Sequence, residues 1–388
     1  MTVSTILLII IIALFFFGSN VYISCRMFQC CHAVFPNLSG FWFGVFCALL
    51  VALAFLAWLR PHLVIPMPRS AKYALSLFGA YWMGTYIYLL LTLLAADLVL
   101  LLLGALKLLP HPLPETARLV SGLAAAAVTA VIVVAGTLHA NTFVYPSYKV
   151  GTDKITDGRE WNIVLVSDLH LGAVNSEKRL EKLVEGINAK KPDIVCIAGD
   201  LFDNDFSSIW DTEKCARTLK NIRSKYGVYA CLGNHDSGST LPKMIGFLPQ
   251  CGITLLDERY TVINGELVLA GRLDGSPIGG GGAKKRGAFS DVIAGADEEL
   301  PLIVLDHNPA HIDEYSERVD LILCGHTHRG QIFPGCLFTG KLFAVDHGFY
   351  RRDEHSPNVI VTSGAGTWGM PMRVGSDSEI VSVKFSGK

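Results

Sequence analysis

Ile163-Val164-Leu165-Val166-Ser167-Asp168-Leu169-His170 is the stretch that decides the fold. Its leading residues are apolar and mostly β-branched, the pattern of a strand buried on both faces. Strand alternation then puts Asp168 and His170 on one face, just past the strand end. The pattern recurs along the chain. The run 194–198 leads into Gly199-Asp200, and the run 228–232 into Gly233-Asn234-His235-Asp236. The run 302–305 leads into Asp306-His307, and the run 321–324 into Gly325-His326-Thr327-His328. Every one of these runs ends in a residue that can bind a metal. The glycines at 199, 233 and 325 permit a sharp turn and a close backbone approach beside each ligand.

Between the first runs the spacing changes to helical. Leu180, Leu183, Val184 and Ile187 recur at helix period within 176–189, and a second helix is expected over 212–225. Strand–helix–strand alternation indicates an α/β sheet, whose ligands gather at the C-terminal ends of the strands. The later part is richer in strands, expected at 253–256, 261–263, 267–270, 341–345, 358–362 and 380–385 besides those already quoted.

The donor set is Asp168, His170, Asp200, Asn234, His307, His326 and His328. Carboxylate, carboxamide and imidazole together suit a borderline divalent ion such as Mn, Fe, Zn or Co better than Ca. No cysteine takes part, which argues against a structural zinc site. The set exceeds what one tetrahedral ion uses; two ions sharing Asp200 would use all of it. Such a pair clamps the attacking and leaving oxygens of a displacement at phosphorus.

These blocks, in this order, resemble the calcineurin-like metallophosphoesterases over residues 162–385. The segment Gly366-Thr367-Trp368-Gly369-Met370-Pro371-Met372-Arg373, with Gly330-Gln331, resembles the bacterial membrane-associated branch that includes UDP-diacylglucosamine hydrolases. The resemblance implies a two-sheet β-sandwich flanked by helices. It gives one ion Asp168, His170, Asp200 and His328, and the other Asp200, Asn234, His307 and His326. It implies a bridging hydroxide as nucleophile and His235 as the group that serves the leaving oxygen. Asp236 either orients that imidazole or caps a turn. Lys284-Lys285-Arg286, in a glycine-rich loop, is either a solvated segment or a flap that brings cations to phosphate, and Arg373 is a further candidate for substrate contact. Trp368 and Met370 either line an acyl groove or cover the core. Monoester, diester and pyrophosphate substrates all stay open.

The first part of the chain is different. Charged residues are only 17% of the 388, against about 25% in ordinary globular domains. Mean hydropathy is +0.40. The deficit lies before about residue 145, which divides the chain into a membrane region, 1–145, and a catalytic region, 146–388. Apolar stretches at 3–23, 41–59, 71–109 and 119–138 are each near or above the roughly 20 residues that cross a bilayer. The stretch 71–109 is read as one helix, because its glycines are isolated and it holds no proline. The first stretch lacks a basic leader, so it is read as a span. Four spans, with Arg60, Arg69 and Lys72 in the second loop, place the catalytic region in the cytoplasm.

The expected fold is therefore N-terminal transmembrane helices followed by an α/β metallophosphoesterase domain. The partners are the lipid bilayer and a phosphorylated substrate, with a lipid-linked one in view. A net charge of −1 and the lack of a basic stripe speak against nucleic acid. None of the ten cysteines has zinc-knuckle spacing. The competing reading is a membrane sensor or transport-related protein whose phosphoesterase-like domain binds a ligand without turnover; metal-dependent hydrolysis separates the two.

Overall fold

The computed structural model describes residues 3–59, 68–174, 177–278 and 285–388. The chain forms two compact units, Met1–Ala135 and Gly136–Lys388.

The first unit holds helices α1 (Val3–Val34), α2 (Phe41–Leu59), α3 (Arg69–Ala105) and most of α4 (Glu115–Ala140). Among the described residues, α1, α3 and α4 are long and apolar enough to cross a membrane, and α2 is a shorter apolar helix. A helix satisfies its own backbone polar groups, so apolar sequence of this length is stable in lipid in that form. α3 is continuous, as expected. Gly79 and Gly84 are buried together with Ala80 and Tyr88, so they are packing positions rather than turns. Large apolar side chains such as Leu101 and Val131 are exposed, the pattern expected of helices that face lipid. Among the described residues a largely buried charge pair lies in this unit: Arg26 Nη2 is 3.3 Å from Asp97 Oδ1. Tyr22 donates to Asp97 at 2.6 Å and Arg26 to Ser121 at 2.8 Å.

The second unit begins inside α4, because the last turns of that helix hydrogen-bond to it. The Arg373 amide donates to the Gly136 carbonyl at 3.0 Å, and Ser378 Oγ to the Ala140 carbonyl at 2.9 Å. The elements that follow are β1 (Phe143–Val144), β2 (Ser147–Thr152), β3 (Glu160–Val166), α5 (Glu177–Ala189), β4 (Ile194–Ala198), α6 (Thr212–Lys220), β5 (Val228–Cys231), α7 (Leu241–Phe247), β6 (Ile253–Leu255), β7 (Arg259–Ile263) and β8 (Leu267–Gly271). Then come α8 (Phe289–Val292), β9 (Leu302–Leu305), β10 (Leu321–Cys324), α9 (Gly335–Leu342), β11 (Gly348–Tyr350), β12 (Asn358–Val361), β13 (Ser378–Glu379) and β14 (Val381–Gly387).

Two six-stranded sheets result, ordered β2-β14-β3-β4-β5-β6 and β11-β12-β10-β9-β8-β7. In the first, β3 to β6 are parallel; in the second, β8, β9, β10 and β12 are. Period-two alternation divides each strand between two cores. Ile163, Leu165, Ile194 and Cys196 meet Leu269, Ile303, Leu305 and Leu323 in one buried cluster. Val164, Val166, Val195 and Ile197 pack on Leu180, Leu183 and Ile187 of α5 on the other face. This two-sided burial explains why the strand sequences are apolar throughout.

One expected element is overturned. The segment 341–345 was expected as a strand, but no strand forms there; Gly335–Leu342 is helical and the adjacent strand is Gly348–Tyr350. The apolar run is real, yet only Val345 of the segment is buried. Apolar sequence read as a core strand is here the last residues of an exposed helix and the bend that follows it. The helix expected over 212–225 ends at Lys220.

Candidate metal centre

Parallel neighbours put the C-terminal ends of β3, β4 and β5 side by side in one sheet, and those of β9 and β10 side by side in the other. The side chains just past those ends converge. His170 Nε2 is 3.1 Å from His328 Nε2 and 3.7 Å from Asp200 Oδ2, and His328 Nε2 is 3.4 Å from Asp168 Oδ1. On the other side of Asp200, His307 Nε2 lies 3.1 Å from Asp200 Oδ2 and 3.1 Å from Asn234 Oδ1. His326 Nδ1 lies 2.9 Å from the same Asn234 oxygen. All the sequence-expected ligands are therefore brought together, with Asp200 between the two halves.

The local backbone is unusual at several of these positions. Asp168, His170, Asp200, His326 and His328 all have φ between 46° and 74°. Non-glycine residues enter this left-handed region at a cost, and clusters of them mark functional sites. The turns after β3, β4 and β10 pass through this conformation, while Asn234 and His307 do not. Two glycines make room. A Cβ on Gly233 would fall 2.1 Å from Asp200 Oδ1. One on Gly364, at φ +84°, would fall 2.7 Å from Asp168 Cβ.

The donor atoms fit divalent cations. Asp168, His170 and His328, and again Asp168, Asp200 and His307, offer ligand atoms within 4.8 Å of one another, all buried. Burial holds the His170 imidazole down at about 3, and burial with the neighbouring His307 charge does the same for His326. In its neutral form such a ring can offer a nitrogen lone pair to a metal. Burial pushes the Asp168 carboxyl up to about 6. Burial would also raise Asp200, but the His307 imidazole beside it holds it well below the usual carboxylate range. His307 in turn would be lowered by burial, yet the Asp200 carboxylate keeps its proton on well above the ordinary range. That is the proton a cation would displace. His307 Nδ1 is 2.7 Å from the Ala198 carbonyl, which orients the ring.

The catalytic candidates are placed less uniformly. His235 lies edge-on to His170, with ring centroids 4.9 Å apart, and 5.8 Å from the Trp368 ring. Its backbone amide donates to Asp200 Oδ1 at 2.8 Å. Asp236 takes the turn role rather than the orienting one. Its two oxygens accept from the amides of Leu201, Phe202 and Gly233, tying the ligand turn after β4 to that after β5. The acid nearest the imidazole is Asp203, whose Oδ1 lies 3.8 Å from His235 Nδ1 and 3.9 Å from His170 Nδ1. The sequence reading missed Asp203. Its signal was a second acid three residues after Asp200 in Gly199-Asp200-Leu201-Phe202-Asp203.

The residues expected at substrate are mostly committed elsewhere. Lys284 lies outside the described residues. Lys285 is exposed and lines a cavity of about 520 Å³ with Asp236, Ser237 and Asp274. Arg286 is paired with Asp306 at 2.6 Å and Glu314 at 2.8 Å, and also meets the Tyr315 hydroxyl. Arg373 is fully buried, with its guanidinium donating to the carbonyls of Ser363, Gly364 and Gly366 at 2.7, 3.1 and 2.8 Å. It braces the loops behind Asp168 and His328 instead of facing an incoming phosphate.

Residues 162–330 match the family profile described as calcineurin-like phosphoesterase. An uncharacterized metallophosphoesterase of Aquifex aeolicus is 33% identical over 249 residues, which are 62% of this chain and 91% of that protein. One of Helicobacter pylori is 34% identical over 238 residues, 59% of this chain and 61% of that protein, so the likeness spans about three-fifths of its length. A transmembrane protein with metallophosphoesterase domain of Danio rerio is 31% identical over 234 residues, covering 57% of this chain and 52% of its own.

Proposed function

Because this chain belongs to the calcineurin-like phosphoesterase family, we propose that it is a membrane-anchored phosphohydrolase that uses two divalent ions to cleave a phosphoester or pyrophosphate bond. The observation that carries this reading is the convergence of buried oxygen and nitrogen donors on both sides of Asp200. Asp168, His170, Asp200 and His328 would hold one ion; Asp200, Asn234, His307 and His326 would hold the other. When bound, the pair supplies a nucleophile from water at neutral pH and neutralises charge on the phosphoryl oxygens.

The rest is done by side chains of this chain. His235 stands beside the ligand cluster and hands a proton to the leaving oxygen, or stabilises its charge. Asp203 holds the His235 ring and the His170 ring in orientation from the Nδ1 side. Asp236 keeps two ligand turns in register, and Arg373 fixes the loops of a third and fourth. Trp368 walls the site next to His235.

The chain carries apolar helices, so a lipid-linked substrate and a cytoplasmic catalytic unit form part of this reading. The test is hydrolysis by detergent-purified full-length protein, stripped of metal and restored with Mn²⁺. A nitrophenyl monoester, a nitrophenyl diester and a UDP-lipid pyrophosphate are compared, each against Asp200→Ala. Metal-dependent turnover absent from the variant supports the hydrolase, and the preferred compound gives its class. Two tightly bound ions with no turnover on any of them would instead favour a sensor.

A further inference from the structure

The surface of the catalytic unit carries a dense apolar patch around α9. Phe333, Leu337, Phe338 and Leu342 are 48, 56, 64 and 76% exposed, and no residue of α9 is buried. The segment from 333 to 342 contains no acid and a single cation, Lys341. Apolar residues scattered singly over a surface need no explanation, but a cluster of large ones marks an interaction site. Nothing in the hydrolytic chemistry uses these side chains.

The backbone connections indicate what covers them. The Phe333 amide donates to the Val374 carbonyl at 2.7 Å, and the next residue back, Arg373, donates its amide to Gly136 at 3.0 Å. Gly136 lies in the last turns of α4, a helix of 26 residues long and apolar enough to cross a membrane. A crossing uses roughly 20 residues, so the end of α4 comes out at headgroup depth. Only one intervening segment separates that end from Phe333, a distance of about two strand spacings, or ~10 Å. The packing here leaves little slack, since a Cβ on Gly136 would lie 3.0 Å from Val374 Cγ2. The helix is also held firmly to the ligand turn that follows β10: a Cβ on Gly335 would fall 2.2 Å from the Gly330 carbonyl oxygen.

We propose that α9 and the turn before it insert into the headgroup layer of the bilayer, as a second membrane contact of the catalytic unit beside α4. The apolar face of α9 enters the acyl boundary, and Lys341 reaches up to lipid phosphates, as in other interfacial helices. The patch continues towards the site. Gln331, two residues before Phe333, bonds the backbone of Trp368 at both its nitrogen and its oxygen, 2.7 and 2.9 Å away. Trp368 is 49% exposed and stands beside His235. This contact brings the edge of the metal centre to headgroup depth, where a lipid-linked phosphate would be found; that last consequence rests on the hydrolase reading, while the contact itself does not.

The experiment uses full-length protein in nanodiscs, made either from ordinary phosphatidylcholine or from phosphatidylcholine brominated on the acyl chains near the headgroup. Phe338→Trp and, independently, Leu342→Trp add one fluorophore each, and the parent spectrum is subtracted. The added emission is expected to be blue-shifted and at least about twofold quenched by the brominated lipid, because an interfacial helix sits within bromine contact distance. Equal emission in both lipids overturns the proposal in either form: quenching by aqueous acrylamide would leave the patch in water, and protection from both quenchers would give it to a second copy of the chain or another protein. Metal content and substrate turnover do not enter this readout, so it stands or falls separately from the hydrolase reading.

Discussion

At His235, Nδ1 is buried with Asp203 Oδ1 3.8 Å away, near enough for a small ring movement to close a charge-assisted hydrogen bond. His235→Ala is expected to lower kcat by about 10²–10⁴-fold, the usual worth of a positioned acid or base, while metal content by elemental analysis stays at the parent level. Asp203→Asn should cost about tenfold or more and shift the pH profile of kcat, since it acts through the imidazole. An unchanged profile in Asp203→Asn, or metal lost with His235→Ala, would overturn these roles. Asp168 governs a second pH effect. Its carboxyl, pushed up to about 6 by burial, binds a proton more tightly than a free aspartate of about 3.9. Stability from the protonated form is complete below about pH 3.9 and is lost as pH rises through about 6. Divalent ions compete for the same oxygens, so metal affinity should fall as pH drops through about 6. Equilibrium dialysis from pH 8 to 5 measures that. Added Mn²⁺ should raise the Tm more at pH 7.5 than at pH 5.5.

At the scale of elements, ligand position depends on turns that only small residues allow. Gly233→Ala places a Cβ against Asp200 Oδ1. It should abolish binding of the ion on the Asn234 side while far-ultraviolet circular dichroism shows both sheets intact. Full metal stoichiometry in that variant would show that the turn relaxes. The strands and the donor past each end were legible in the sequence, because two-sided burial makes β3, β4, β5, β9 and β10 apolar runs with a donor side chain two or three residues on. The segment 341–345 was misread for the same reason: an apolar run has no label saying whether a core or some other apolar phase covers it. The short strands β1 and β13 carry little sequence pattern, since each depends on the other, far away in the chain.

At the scale of the whole molecule, one charged pair stands out in the membrane unit. Asp97→Leu leaves Arg26, only 5% exposed, without its carboxylate. The variant should melt at a lower temperature in detergent than the parent, and Arg26→Met added to it should recover part of the loss, because the uncompensated charge is then gone. Equal Tm values for all three would show that the pair contributes nothing to stability. The sequence by itself determined the division into an apolar helical region and an α/β phosphoesterase region, and it marked the donor residues that the fold gathers past the strand ends. It could do so because apolar periodicity and donor chemistry are properties of the chain read locally. Only the tertiary structure decided that Asp203 rather than Asp236 lies beside the His235 ring, that Arg286 and Arg373 are bound to other groups, and that α9 is exposed. Those outcomes depend on which atoms, far apart in sequence, come within about 4 Å of one another, the range over which a buried hydrogen bond or ion pair is made.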